Sequence, residues 1–169
     1  MLRKVLLGVS TALFSANLMA AEMQIRIDIP AMSVAEYHRP YVAVWIEKPD
    51  ESIARHVAVW YDQAAAENKG TKWLKDLRLW WRKGGRELQM PMDGMSSATR
   101  QVGQHQLRVD DATLRSLASG EYRLVVEAAR EKGGREFVKI PFRLPVSVAA
   151  QLQEKGSEEL GMIQLSLKP

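Results

Sequence analysis

Three histidines, five tryptophans and a run of small hydroxyl residues are the groups in this 169-residue chain whose types could do chemistry, and cysteine is absent. His38, His56 and His105 lie in different segments without the i, i+3 or i, i+4 spacing that sets two metal ligands on one helix face. The lack of cysteine removes disulfides, thiolate metal sites, thiol catalysis and iron–sulfur ligation by this chain, so any redox chemistry has to come from a cofactor. No Gly-x-Ser-x-Gly elbow marks a nucleophile for Ser/His/Asp hydrolysis. The doublets Gly84-Gly85 and Gly133-Gly134 read as turns rather than phosphate loops. Trp45, Trp60, Trp73, Trp80 and Trp81 read mainly as a sheet core and the helix that covers it. What remains is Asp93-Gly94-Met95-Ser96-Ser97-Ala98-Thr99, inside Leu88 to Gly103, the longest stretch expected to be mostly exposed loop.

The elements that must position these groups follow from periodicity. Met23, Ile25, Ile27 and Ile29 alternate with polar residues, the pattern of a strand buried on one face. Tyr41 to Ile46 is continuously apolar and reads as a central strand, and Val57 to Tyr61 forms a hairpin with it across the polar loop Lys48 to Ser52. From Thr71 to Trp81 the period changes. Trp73, Leu74, Leu77, Trp80 and Trp81 fall on one face of an expected helix that stops at Gly84-Gly85. Asp110 or Asp111 caps a single helical turn carrying Leu114 and Leu117. Glu121 to Ala129 and Arg135 to Arg143 form a second hairpin around Gly133-Gly134, and Ile163, Leu165 and Leu167 mark a final strand. Six or seven short strands with one or two brief helices predict a mostly β fold, an immunoglobulin-like β-sandwich without the usual Cys…Trp…Cys pin.

Composition narrows the class further. With 46% hydrophobic and 26% charged residues the chain has the balance of a globular protein. Its 24 Lys and Arg against 20 Asp and Glu are spread along the sequence, which gives no clustered footprint for nucleic acid. At the N-terminus, Arg3 and Lys4 precede the apolar Val5 to Leu18 and the small Ala20 and Ala21, the plan of a cleaved export signal over residues 1–21. The mature chain, residues 22–169, is expected to be a single sandwich domain with no transmembrane segment of its own, so electron or solute passage across a bilayer would need a membrane partner.

The Asp93 to Thr99 stretch resembles the D-x-x-[ST]-G-A-[ST] motif at which a bacterial FAD:protein FMN transferase couples FMN, through its phosphate, to a threonine or serine hydroxyl. Asp93, Ser96, Ala98 and Thr99 match, and Ser97 stands where the motif has glycine. Such a reaction needs an accessible hydroxyl among small neighbours, so that backbone and phosphate approach closely. The mature chain as a whole resembles a family of predicted periplasmic proteins of unknown function associated with PepSY-type membrane reductases and with that transferase. The resemblance is carried by Arg39 to Ile46, Lys72 to Arg78 with Trp80-Trp81, the Asp93 to Thr99 motif, Gly120 to Leu124, Glu127 to Glu131 and Gly133 to Glu136. It implies a periplasmic, flavin-bearing electron carrier, with FMN on Thr99, Asp93 and Ser96 serving recognition by the transferase, and Trp80 or Trp81 packing on the ring. The alternative is a cofactor-free periplasmic binding or assembly module that docks on a membrane protein through its aromatic region.

Overall fold

The computed structural model describes residues 21–169; of the expected export signal, residues 1–20 lie outside the described residues. The described chain forms two sheets. The first contains β1 (Glu22–Ile29), β5 (Gly103–Val109), β8 (Ala150–Lys155) and β9 (Met162–Lys168), in the order β5-β1-β9-β8. The second contains β2 (Tyr41–Glu47), β3 (Ile53–Tyr61), β4 (Ser96–Ala98), β6 (Gly120–Ala129) and β7 (Arg135–Leu144), in the order β4-β3-β2-β6-β7. The expected hairpins β2-β3 and β6-β7 are both present, with β2 and β6 side by side at the centre of their sheet.

This is the predicted sandwich. Met23, Ile25, Ile27 and Ile29 of β1 and Ile163, Leu165 and Leu167 of β9 meet Val42, Val44, Ile46, Leu124 and Val126 of the facing sheet in one buried cluster. Alternation along β1 puts every second side chain into that cluster. Two sheets joined this way, with a β3-β2-β6-β7 arrangement facing β5-β1, follow the immunoglobulin plan. A further feature of that plan is present: the Tyr122 hydroxyl, near the start of β6, donates to the Ala118 carbonyl at 2.7 Å, closing the corner through which the chain enters the strand.

The β2 run is continuously apolar because its sheet is covered on both faces. Ala43, Trp45, Val59, Tyr61, Val125 and Ala129 point away from the sandwich core into a second buried cluster with Leu74, Leu77 and Trp80. The cover differs from the expected single helix. It is an irregular 3-10 segment, Ala66–Asp76, followed by a break at Leu77 (φ −74°, ψ 69°) and a short α1, Arg78–Lys83, ending at Gly84. The break lies where Glu127, fully buried on β6, accepts the N–H groups of Leu79 (3.0 Å) and Trp80 (2.8 Å). A carboxylate from the sheet thus satisfies two donors that start α1, and fixes where that helix begins. The second expected turn forms as read: α2 (Asp111–Arg115) is capped by the Asp110 carboxylate, which accepts from the Thr113 N–H at 2.7 Å.

Candidate functional site

The motif stretch is less free than an exposed loop. Ser96, Ser97 and Ala98 form β4, which runs parallel to β3 opposite Val59, Trp60 and Tyr61 at the edge of the sheet. Hydrogen bonds extend the pairing at both ends, from the Val59 N–H to the Met95 carbonyl (2.9 Å) and from the Thr99 N–H to the Tyr61 carbonyl (3.2 Å). The expectation of a mostly irregular segment is therefore corrected over these residues, because unpaired groups on the β3 edge recruit the chain as an extra strand. The tight turn that feeds it uses Gly94, at φ 70°, and is closed by the Met92 N–H donating to Ser96 Oγ at 2.8 Å. Positive φ is thus needed at Gly94. Ser97 is extended, with its Oγ accepting from the Arg100 guanidinium at 3.3 Å, so a serine in place of the motif's glycine fits this backbone. Asp93 and Ala98 are exposed, and Ser96 and Thr99 are half-buried.

Thr99, where the chain leaves the sheet edge, lines an open groove of about 960 Å³. That is the size of a small-molecule site. Three other walls come from the β1–β2 connection with Tyr37 and Arg39, the 3-10 segment with Lys72 and Trp73, and the tip of the β6–β7 hairpin around Arg130 and Arg135. Seven cationic side chains line the groove against three carboxylates. Four of the cations are committed. Arg130 grips Glu159 with two bonds (2.9 and 3.0 Å), Arg135 reaches Glu127 (2.9 Å), Lys69 pairs with Glu67 (3.1 Å), and Lys132 pairs with Glu36 (2.7 Å). Among the described residues Arg39, Lys72 and Arg78 have no ion pair; the lining carboxylates Asp62, Asp76 and Glu131 balance their charge, so the groove offers an anion three cationic contacts rather than a net positive field. The buried hydroxyl of Tyr37 has no hydrogen-bond partner either, and burial raises its pKa, so it stays a protonated donor.

The walls are anchored by specific contacts. Tyr41 at the start of β2 donates to the Gly70 carbonyl at 3.1 Å and ties the 3-10 segment to the sheet. Gly70 is required there, since a Cβ would stand 1.8 Å from the Asp62 carbonyl oxygen. On the opposite wall Glu159 also accepts the Gly134 N–H at 2.6 Å, so one carboxylate holds the hairpin tip by both Arg130 and the backbone. Five of the stretches that carry the family resemblance, around Arg39, Lys72-Trp73, Thr99, Glu127 to Glu131 and Gly133 to Glu136, thus converge on this one place.

The other expected groups fall elsewhere. Trp80 is fully buried, its Nε1 donating to His56 Nδ1 at 3.1 Å, and Trp81 is half-buried against the second core cluster. Neither is placed on the groove; the exposed indole that lines it is Trp73. Trp80 is corrected as a ring-packing residue because α1 turns it onto the sheet. Burial lowers the pKa of His56, which stays neutral and accepts the indole proton at Nδ1. His38 sits on the groove beside Glu36 (2.9 Å) and Glu131 (3.6 Å), while His105 bonds the Gln101 carbonyl (2.7 Å) and packs edge-on against Trp60, so the three histidines occupy separate places. Tyr37, Arg39, Trp73 and Arg78 were not singled out as site residues in the sequence. Their only local signal was that Arg39, Trp73 and Arg78 stand in stretches carrying the resemblance.

Comparison with known proteins gives one finding. A family model described as "Predicted periplasmic protein (DUF2271)" matches residues 22–162. No curated protein and no solved structure matches the chain. No helix among the described residues is long and apolar enough to cross a membrane.

Proposed function

The chain belongs to the DUF2271 family of predicted periplasmic proteins, and from that premise we propose that it is a periplasmic electron-transfer protein carrying FMN esterified through its phosphate to Thr99. The observation that carries this reading is that the threonine ending the Asp93 to Thr99 motif lines a large groove shared with Arg39, Lys72 and Arg78, three cations without an ion pair among the described residues. Arg39, Lys72 and Arg78 suit an anionic phosphodiester, and the unpartnered Tyr37 hydroxyl suits a carbonyl or phosphate oxygen. The donor set therefore fits FMN, which when bound would supply the electron transfer that no side chain of this cysteine-free chain can perform.

Loading requires a FAD:protein FMN transferase as partner. Thr99 Oγ would become the ester partner of the FMN phosphorus in place of AMP, which leaves, and its hydroxyl proton would pass to the transferase. Exposed Asp93, with Ser96 and Ala98, would be read by that enzyme, and the edge position of β4 leaves the segment open to it. Thr99 acts as a tether with no acid–base role, and a PepSY-type membrane reductase is the proposed electron donor.

Coexpression with the transferase tests the reading. Denatured wild-type protein should keep flavin fluorescence in a gel and gain the mass of one FMN ester, and Thr99→Ala should lose both. Wild type that stays colourless while a control substrate is loaded would overturn it, and the cofactor-free binding module would replace it.

A further inference from the structure

Trp73 stands apart from its neighbours. Gly70 and Leu74 of the same segment are buried, and Leu77 and Trp80 join Leu74 in the second core cluster, yet Trp73 leaves 44% of its surface in solvent. Its ring carries the Lys72 and Lys75 ammonium groups 5.1 and 5.9 Å from its centre. A lone exposed aromatic is ordinary. This one lines the groove to which Thr99, Arg39 and Arg78 also belong.

The segment that presents it is tightly constrained. Glu67 and Asn68 both adopt φ 56°; asparagine takes this left-handed conformation readily, but Glu67 holds it at a cost that the surroundings must offset. The Tyr41 bond to the Gly70 carbonyl and the close approach of Gly70 to Asp62 supply that constraint. An indole on such a support loses little freedom when a flat ligand stacks on it, which is the condition for a preorganised platform.

We infer that Trp73 is the plate against which the flavin ring packs, and that Arg39, Lys72 and Arg78 meet the negative charge of FMN, so that the groove binds this nucleotide with or without the covalent bond. The inference rests on the flavin reading above and deepens it: the tether keeps the cofactor on the protein, and the groove determines where the ring lies. Aromatic stacking on a flat base is worth about a tenfold change in affinity. Contacts from three cations make binding weaken as salt is raised.

Free FMN titrated into purified Thr99→Ala protein tests this, since that variant cannot be loaded covalently. FMN fluorescence should be quenched saturably. Trp73→Ala in the same background should weaken binding about tenfold, Trp73→Phe should restore part of it, and Arg39→Gln with Arg78→Gln should weaken FMN more than riboflavin, which lacks the phosphate. Trp73 is exposed, so its removal leaves the fold intact, checked by an unchanged melting temperature. Absence of saturable binding in Thr99→Ala, or equal binding with Trp73→Ala, would overturn the seat, even if wild type is loaded on Thr99. Saturable, Trp73-dependent binding in a protein that no transferase loads would uphold the seat and overturn the tether.

Discussion

Glu136 collects five hydrogen bonds from the turn between β8 and β9: the Ser157 N–H and hydroxyl (2.6 and 2.7 Å) and the N–H groups of Glu158, Glu159 and Leu160 (3.1, 3.0 and 3.0 Å). Burial alone would raise its carboxyl, but the bonds from Ser157, Glu158 and Leu160 outweigh it and bring the pKa from 4.5 down to about 2. The folded state therefore favours the ionised form. Its contribution is complete above the unfolded value and fades as pH falls from about 4.5 through about 2. At 1.36 kcal/mol per pKa unit, and discounted for partial exposure, it amounts to about 2 kcal/mol at neutral pH. Glu136→Gln is expected to lose about that much stability at pH 7, with the gap to wild type closing as pH approaches 2. Denaturant unfolding across pH measures it, and a gap independent of pH would refute the assignment. Local residue type does not disclose this carboxylate's role, because its five donors lie more than twenty positions away along the chain.

The cover on the second sheet shows how an element can be recognised and its facing misjudged. A 3.6-residue period over Thr71 to Trp81 assigns Trp73, Leu74, Leu77, Trp80 and Trp81 to one buried face. The first part is a 3-10 segment, whose 3.0-residue turn aligns positions three apart. Leu74 in that segment goes inward while its neighbour Trp73 goes to the groove, and the break at Leu77 with the new start at Arg78 turns Leu77 and Trp80 inward as well. Neither piece is long enough to be stable alone, so attachment to the sheet decides its existence. Glu127 makes that attachment for α1 through the Leu79 and Trp80 N–H groups and also holds Arg135. Glu127→Ala would leave two backbone donors and a guanidinium without their partner, a cost of about 3 kcal/mol. The expected signature in denaturant unfolding is lower stability, with a red-shifted tryptophan emission before global unfolding as Trp80 is released. Unchanged emission and stability would contradict the anchoring role.

In the assembled sandwich, strand order does what a disulfide does in many immunoglobulin domains. The cysteine-free chain closes its core with aliphatic side chains of β1, β2, β6 and β9. The buried Trp45 on β2 points into the second cluster, away from the sandwich core. The Tyr122–Ala118 bond then pins the crossing from one sheet to the other. Tyr122→Phe keeps the ring stacked on Phe142 and removes only the hydroxyl. It should cost about 1 kcal/mol and lower the melting temperature by about 2–4 °C. Thermal unfolding reads this directly, and no loss would mean that the corner bond is idle.

Strands β1, β2, β3, β6, β7 and β9 were legible because a strand that packs on a core writes its burial into its own residues, at a period of two or as an unbroken apolar run. Thr99, the proposed acceptor, stands out in the sequence for the same reason of proximity: the residues of its motif are contiguous. β5 and β8 escaped notice, since edge strands with solvent on one side tolerate residues such as Gln104, Gln106, Gln151 and Gln153 and carry little pattern. β4 escaped because its only ladder partner is β3, across a stretch of more than thirty residues. The groove was hidden for a deeper reason. Whether Arg39 or Arg130 is an available charge or a committed one depends on which carboxylate reaches it, and Glu159 reaches Arg130 and not Arg39. Side-chain type is a property of the chain, but free charge, exposed indole and empty volume are differences left after folding has paired and buried everything it can.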